Sequence, residues 1–298
     1  MKNHFTRRMN MSNYILCTDT ACDLKPATLK AWGVEYCSLS FQFNDSEKVY
    51  SNFDMDVTEF YDKMRAGGVA KTSAINVDAF ENFFEPYLVT GKDVLYIGFS
   101  SGLSATYHSA CLAAEALREK YPERKVLTVD SLAASAGLGL LVYLTAKEQE
   151  KGATIEEAAA FAEATKLNVC HWFTVDDLDY LKRGGRVSPA VAFLGNKLGI
   201  KPVLHVDNEG HLINVFKVRG RKNAIAALAK ELGKSAIDPA DGIVYISHGD
   251  CQKDVDQLVE ILQADYNAKV ELVTDVGPVI GAHTGPGVLA LFFVGKER

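Results

Sequence analysis

The sequence has no C-x-x-C pair, although it holds six cysteines. A structural zinc site or a thioredoxin-type redox pair needs that spacing, so neither is expected. Most of Cys17, Cys22, Cys37, Cys111, Cys170 and Cys251 sit inside apolar runs. They read as buried free thiols of a reducing compartment. No segment fits G-x-x-x-x-G-K-[ST], so the phosphate cradle of a P-loop is missing, and no G-x-G-x-x-G follows the first strand to hold a dinucleotide. An excess of positive charge is lacking too. Lys and Arg number 32 against 38 Asp and Glu, a net charge of −6. Nucleic acid is therefore not an expected partner, because phosphate binding needs a basic face. The histidines His171, His205, His211 and His248 are scattered without the spacing of a zinc site, and no metal or cofactor is expected. The most apolar stretch, Ser131 to Ala146, is shorter than the ~20 residues that span a bilayer. Its small residues suit a tightly packed core helix. The opening MKNHFTRRMN is basic, but no apolar segment of signal-peptide length follows. It reads as a disordered leader with Met11 as an alternative start, and a cytoplasmic location is expected.

What the chain does have is ordinary globular material. It holds 298 residues, 48% hydrophobic and 23% charged, enough for two domains or one large one. From Tyr14 to about Leu167, short apolar strands alternate with helical patterns. Strands are expected at YILCTD (Tyr14–Asp19), VEYCSLSFQF, Val94–Phe99 and KVLTVD. Helices are expected at Lys25–Trp32, at Asp56–Arg65, around Phe80, Phe83, Phe84 and Tyr87, at about Ala105–Tyr121, and from Ser131. Thr154 with Glu157 three residues on makes a capping box for another helix. This alternation predicts an α/β fold whose N-terminal part, residues 13–167, is a largely parallel, doubly wound sheet. After Leu167 the pattern changes. KPVLHVDNEGHLINVFKV has two extended runs around DNEG, a hairpin signal. Strands at VCHWFTV, GIVYISH, KVELVTDV and VLALFFVG alternate with short helices. Ser188-Pro189 can start one of these helices, and GPVIGAHTGPG reads as a glycine-rich loop. A second α/β domain with mixed or antiparallel strands, residues 168–298, is expected.

The candidate chemistry lies in loops at strand ends, where ligands of open α/β sheets bind. FSSGLSATYHSA places Ser100, Ser101 and Ser104 just before a helix. Free N–H groups and the dipole at a helix N-terminus favour an anion, though a serine there can simply cap the helix. KTSAIN offers Lys71, Thr72 and Ser73 between elements, where hydroxyls can face a ligand or close a turn. TDTACDL adds Asp19, Thr20 and Asp23. LKRGGRVS projects Arg186 after two glycines, and a guanidinium suits a carboxylate or phosphate. His283 stands in the last glycine-rich segment with Thr284 as almost its only polar neighbour.

A second reading follows from Gly98-Phe99-Ser100-Ser101-Gly102, which fits the G-x-S-x-G of a hydrolase nucleophile elbow. Asp275 and His283 come later in the chain order of an α/β-hydrolase. A serine-dependent lipid or ester hydrolase is therefore the alternative. Against it, Ser101 to Ser104 intervene before a convincing helix, and no glycine-rich oxyanion motif lies upstream. A third reading, phosphoryl chemistry, would require nucleotide or metal binding.

Six segments in order, TDTACDL, KTSAIN, SSGLSATYHSA, LDYLKRGGRVS, KPVLHVDNEGHL and GPVIGAHTGPG, make the chain resemble the DegV family of bacterial fatty-acid-binding proteins. The resemblance spans nearly the whole chain from Asn13. It implies the two-domain fold of that family and one bound long-chain fatty acid, such as palmitate, stearate or oleate, with the protein itself non-catalytic. It further implies that Thr72 and Ser104 hold the carboxylate, with Ser73, Ser100 and Ser101 close by and Arg186 and His283 near the head group. The partner implied is a fatty acid kinase that phosphorylates the bound carboxylate, with at most transient contact with a membrane. The basic run KVRGRKNA would supply Arg219, Arg221 and Lys222 for docking it; a solvated helix start is the plainer reading of that run. The sequence departs from the family in TSAIN for the usual TSQPS, and in Ala105 where glycine is common.

Overall fold

The computed structural model describes residues 13–188 and 199–298. The leader with Met11 and the helix expected from Pro189 lie outside the described residues. The first half builds a four-stranded, all-parallel sheet in the order β2-β1-β6-β7, from β1 (Tyr14–Asp19), β2 (Val34–Cys37), β6 (Asp93–Gly98) and β7 (Val126–Asp130). Its strands are nearly continuous apolar runs because helices cover both faces. On one face α3 (Val77–Val89) packs on α4 (Thr106–Lys120). On the other lie α1 (Pro26–Ala31), α5 (Ser135–Glu150) and α6 (Ile155–Thr165). Asn76 caps α3 by accepting from Ala79 N, and Thr154 and Glu157 close the expected capping box of α6.

A small antiparallel sheet, β4-β3-β5, stands beside it, formed by β3 (Ser40–Phe43), β4 (Val49–Ser51) and β5 (Ala70–Ser73), with α2 (Val57–Arg65) packed nearby. Two expectations are corrected here. VEYCSLSFQF is two strands in two sheets. The chain turns out of the parallel sheet at Ser38 and Leu39, where Leu39 N donates to Thr20 Oγ1 at 3.0 Å. KTSAIN begins as strand, because Thr72 pairs opposite Phe41 and Ser73 opposite Ser40.

The second half forms a six-stranded sheet, β10-β9-β8-β13-β11-β12. Its strands are β8 (Val169–Thr174), β9 (Ile200–Val206), β10 (Leu212–Arg219), β11 (Val244–His248), β12 (Val270–Asp275) and β13 (Leu289–Val294). All pairs are antiparallel except β11 with β12. β9 and β10 are the expected hairpin. The strand period of two splits the sheet into two buried faces. Cys170, Leu291, Phe293, Val244 and Ile246 pack with α8 (Arg221–Ser235) and α9 (Gln252–Tyr266). His171, Phe173, Ala290, Phe292 and Ser247 face the opposite way, toward α5 and the first sheet. The short helices α7 (Asp179–Arg183) and α10 (Pro278–Thr284) complete the fold.

α5 lies between the two sheets and is apolar nearly all round, as a helix without a solvent face must be. Its glycines allow the approach: a Cβ at Gly137 would stand 2.2 Å from His171 Nε2. The helix begins at Ser135, not at the expected Ser131. Ser131 spends its hydroxyl on Gly98 O, at 2.6 Å, and both Leu132 and Ser135 adopt left-handed backbone angles. Arg298 joins the halves by donating to the carbonyls of Leu132, Lys166, Val169 and Asp207. Among the described residues no helix is long and apolar enough to cross a membrane, and the six cysteines are free.

Candidate functional site

A cavity of about 290 Å³ lies between the carboxyl ends of the parallel strands and the inner face of the six-stranded sheet. The location follows from topology. From β1 the chain crosses to β2 on one side, and the later strands extend the sheet on the other. A crevice therefore opens where β1 and β6 end. Leu39, Phe99, Leu103, Ala134, Phe173, Val206, Val276, Val279, Val288 and Phe292 make most of its wall apolar.

Four polar side chains expected from the sequence meet on that wall: Thr72, Ser104, Arg186 and His283. Each arrives from a different element. The alternation of β5 half-buries Thr72 and leaves Ser73 exposed. Thr72 Oγ1 and His283 Nε2 are 2.8 Å apart. His283 rides on α10, which corrects the loop expected at GPVIGAHTGPG. Pro278 takes the first helical position, where its missing N–H costs nothing, and the remote Asn52 Oδ1 accepts from Val279 N at 2.9 Å. No local pattern could announce a cap supplied by Asn52. Burial, and then the neighbouring Arg186, push His283 down to about 4, so its imidazole is neutral near pH 7.

Ser104 sits just ahead of α4. Its Oγ accepts from Thr106 N at 3.2 Å and shares a 2.9 Å hydrogen bond with Thr106 Oγ1. The N-cap position is Ala105, which has no hydroxyl to close the helix end, and Ala105 also lines the cavity. Arg186 is aimed by its own backbone and by the serine loop. Nε and Nη2 donate to Leu103 O at 3.2 and 3.0 Å, and Nη1 donates to Gly184 O. Among the described residues its partners are carbonyl oxygens, never a carboxylate. The guanidinium charge is thus available to a bound anion. Burial lowers its pKa from the usual arginine range.

The other three expected residues do not reach the cavity wall. Ser73 is exposed, and Ser101 is exposed with its N–H on Asp130 Oδ1. Ser100 is buried and donates to Gly210 O at 2.9 Å, holding the β9–β10 turn against the loop. The hydrolase constellation does not assemble. Ser100 is committed to Gly210, His283 to Thr72, and Asp275 to Lys25 and His248. Asp19 and Asp23 are also structural. Asp19 accepts from Tyr96 OH at 2.5 Å and from the N–H groups of Phe99 and Ala21, each at 2.9 Å. Asp23 accepts from Ser135 Oγ at 2.6 Å and Gly277 N at 2.9 Å. Burial raises both carboxyls, Asp23 to about 8.

Sequence reasoning missed Ser135, His171 and Ser247, which also line the cavity. The period of two in β8 and β11 was the signal, but it needed the register of β13 to show which face is inward. Of the basic run, Arg219 and Lys222 are exposed, whereas Arg221 is tied down. Its Nε lies 2.9 Å from Asp254 Oδ2, and its Nη2 donates to Gly287 O at 2.6 Å. Arg221 is thus half-buried and held by intramolecular partners, unlike Arg219 and Lys222. Asp207, Glu209 and His211 bring their ligand atoms within 4.8 Å on the β9–β10 turn, a grouping their spacing had not suggested. There Asp207 Oδ1 accepts from Glu209 N and His211 N, which closes the turn.

A mostly apolar cavity with a cluster of polar side chains on its wall defines a small-molecule binding site in a two-sheet α/β architecture. Residues 15–296 match the sequence model of the family described as "Uncharacterised protein, DegV family", and the chain belongs to the DegV family. It is 41% identical over 290 residues to a DegV domain-containing protein of Clostridium perfringens, covering 97% of this chain and 99% of that one. Its structure is similar to that of a DegV family protein from Thermus thermophilus described for its fatty acid binding. There the TM-score is 0.84 at 30% identity, over 95% of this chain and 99% of the other. It is also similar to a stearic acid-binding protein from Eubacterium ventriosum, with a TM-score of 0.85 at 27% identity over 95% and 98% of the two chains.

Proposed function

We propose that this chain binds one long-chain fatty acid in the cavity and presents it to a fatty acid kinase without doing chemistry itself. The carboxylate is assigned to the polar cluster of Thr72, Ser104, Arg186 and His283, and the acyl chain to the apolar wall. One observation carries the reading. The four side chains converge on a mostly apolar cavity, and among the described residues the Arg186 guanidinium is bonded to carbonyl oxygens and not to a carboxylate. Neutral donors and one cation can hold a carboxylate, while each buried methylene contributes roughly 0.8 kcal/mol. The fatty acids bound by the two similar structures support the same ligand class. The six free thiols favour a cytoplasmic setting. Within this reading the chain divides into units at 167 and 168; the separate four-stranded and six-stranded sheets support that division, and one apolar core runs through both.

Native mass spectrometry of the purified protein, followed by denaturing lipid extraction, tests this. One stoichiometric fatty acid, lost or reduced in Thr72→Ala and Ser104→Ala, is the expected result. A protein that stays empty in oleate and palmitate, yet cleaves an ester and takes a fluorophosphonate at Ser100, would overturn it.

A further inference from the structure

The loop that carries Ser104, residues 99–104, lies outside the strands and helices, so no ladder of backbone bonds fixes it. Ser100 holds it instead. Its N–H donates to Ala133 O at 3.0 Å, and its carbonyl accepts from Leu103 N at 3.0 Å and Ser104 N at 3.1 Å. Its hydroxyl accepts from Gly102 N at 3.2 Å and donates to Gly210 O at 2.9 Å. Every polar group of Ser100 is used, and the last of these bonds reaches the turn between β9 and β10.

That turn is fixed on its own account. Asp207 N donates to His211 O at 2.9 Å and Gly210 N to Asp207 O at 3.0 Å, while Asp207 Oδ1 accepts from Glu209 N and His211 N. Arg298 Nη1 donates to both Asp207 O and Leu132 O. Turn and loop meet closely. A Cβ at Gly102 would stand 2.8 Å from Glu209 O, and one at Gly210 would stand 2.1 Å from Ser100 Oγ. With its own bonds and Arg298 behind it, the turn is the stiffer partner, and the loop is the one that yields to a misfit.

Two head-group contacts depend on where the loop stands. Ser104 is its last residue, and Leu103 O is the acceptor for both Nε and Nη2 of Arg186. We infer that Gly210 and Ser100 are positioning residues for the head-group cluster: the β9–β10 turn sets the loop, and through it the aim of Ser104 and of the Arg186 guanidinium. This rests on the fatty-acid reading above and extends it to residues that do not line the cavity. Most of the apolar wall comes from other elements. A fault in this chain of contacts therefore costs recognition of the carboxylate and spares recognition of the acyl chain.

The test is calorimetric titration of delipidated protein with oleate and with oleyl alcohol, which shares the chain and lacks the charge. The ratio of the two affinities reads the head-group contacts. In Gly210→Ala the added methyl meets Ser100 Oγ, and the ratio should fall about tenfold, through oleate. Gly199→Ala is the control. Both glycines have φ +79°, but a Cβ at Gly199 meets nothing within 4 Å, so the ratio should stay within about twofold of the parent's. Ser100→Ala removes both the bond and the atom that the methyl strikes. It should lower the ratio about fivefold by itself, and adding Gly210→Ala should lower it little further, as for two residues that act through one contact. In NMR spectra of Ser100→Ala the Arg186 Nε–H should exchange with solvent faster than in the parent. Equal losses of oleate and oleyl alcohol in either variant, or an unchanged ratio in Ser100→Ala, would overturn the positioning role and leave the fatty-acid reading intact. A parent protein that binds neither ligand would overturn that reading as well.

Discussion

Thr72 Oγ1 and His283 Nε2 lie 2.8 Å apart across 211 residues of sequence. The contact joins β5 of the small sheet to α10, so the polar cluster on the cavity wall exists only in the assembled fold. Thr72→Val keeps the β-branched shape and removes the hydroxyl. Oleate affinity should fall about five- to tenfold, the worth of one hydrogen bond, with little change in Tm. Calorimetric titration beside thermal unfolding separates the two quantities. A variant that binds as well as the parent would remove Thr72 from the site.

His283 should remain neutral down to about pH 4, because burial and the adjacent Arg186 both oppose its protonation. The unfolded chain protonates near the ordinary 6.5, so it binds more protons than the native state between those values. Stability from this residue is therefore present above that window and lost as pH falls through it. NMR titration of the imidazole reads the midpoint directly. Arg186→Gln should raise it, and a midpoint near 6.5 in the parent would contradict the assignment.

Gly184 is a positional requirement for His283. Its backbone angle suits any residue, with φ −73°, but a Cβ would stand 2.2 Å from His283 Nδ1. Gly184→Ala must push the ring off Thr72, and oleate binding should weaken at least about tenfold, with about 1–3 kcal/mol lost in stability. Gly185→Ala is the control. At φ +71° it strains the backbone but meets nothing within 4 Å, so it should cost stability and spare binding.

Most of the fold was legible because strand and helix periods differ and each segment here keeps one. β1 and the capping box of Thr154 needed only local signals. The misreadings came where remote groups decide. Asn52 caps α10, β3 recruits Ala70–Ser73 into a strand, and Gly98 O takes the Ser131 hydroxyl expected to start a helix. The site shows the same division. Thr72, Ser104, Arg186 and His283 lay in recognisable segments. The burial of Ser100 against Gly210, and the inward aspect of His171 and Ser247, depend on strand register that a single sequence does not display.

Asp23 should make stability fall as pH rises. Burial lifts its carboxyl from 3.8 to about 8, so the native state holds a proton that the unfolded chain has released between those values. The stabilisation is complete below the lower value and is lost as pH climbs through the upper one. Asn tolerates the left-handed backbone at this position, φ 53°, and can keep the bonds to Ser135 and Gly277. Thermal unfolding at about pH 5 and about pH 8 should show a smaller difference in Asp23→Asn than in the parent. Equal differences would mean that Asp23 is ionised throughout.

Arg221 and its neighbours Arg219 and Lys222 should separate by experiment. Arg221 holds Gly287 O and Asp254 from the start of α8, so Arg221→Ala leaves buried acceptors unpaired and should cost about 1–3 kcal/mol in unfolding. Arg219 and Lys222 are exposed, and no salt bridge to either is found among the described residues. Reversing both to Glu should leave Tm and oleate affinity unchanged. If this end of β10 receives the kinase, the same reversal should slow kinase-coupled acyl phosphate formation, and higher salt should slow the parent toward the same rate, since exposed charges act through a screened field. Unchanged turnover in the double reversal, with ligand still bound, would place the docking surface elsewhere.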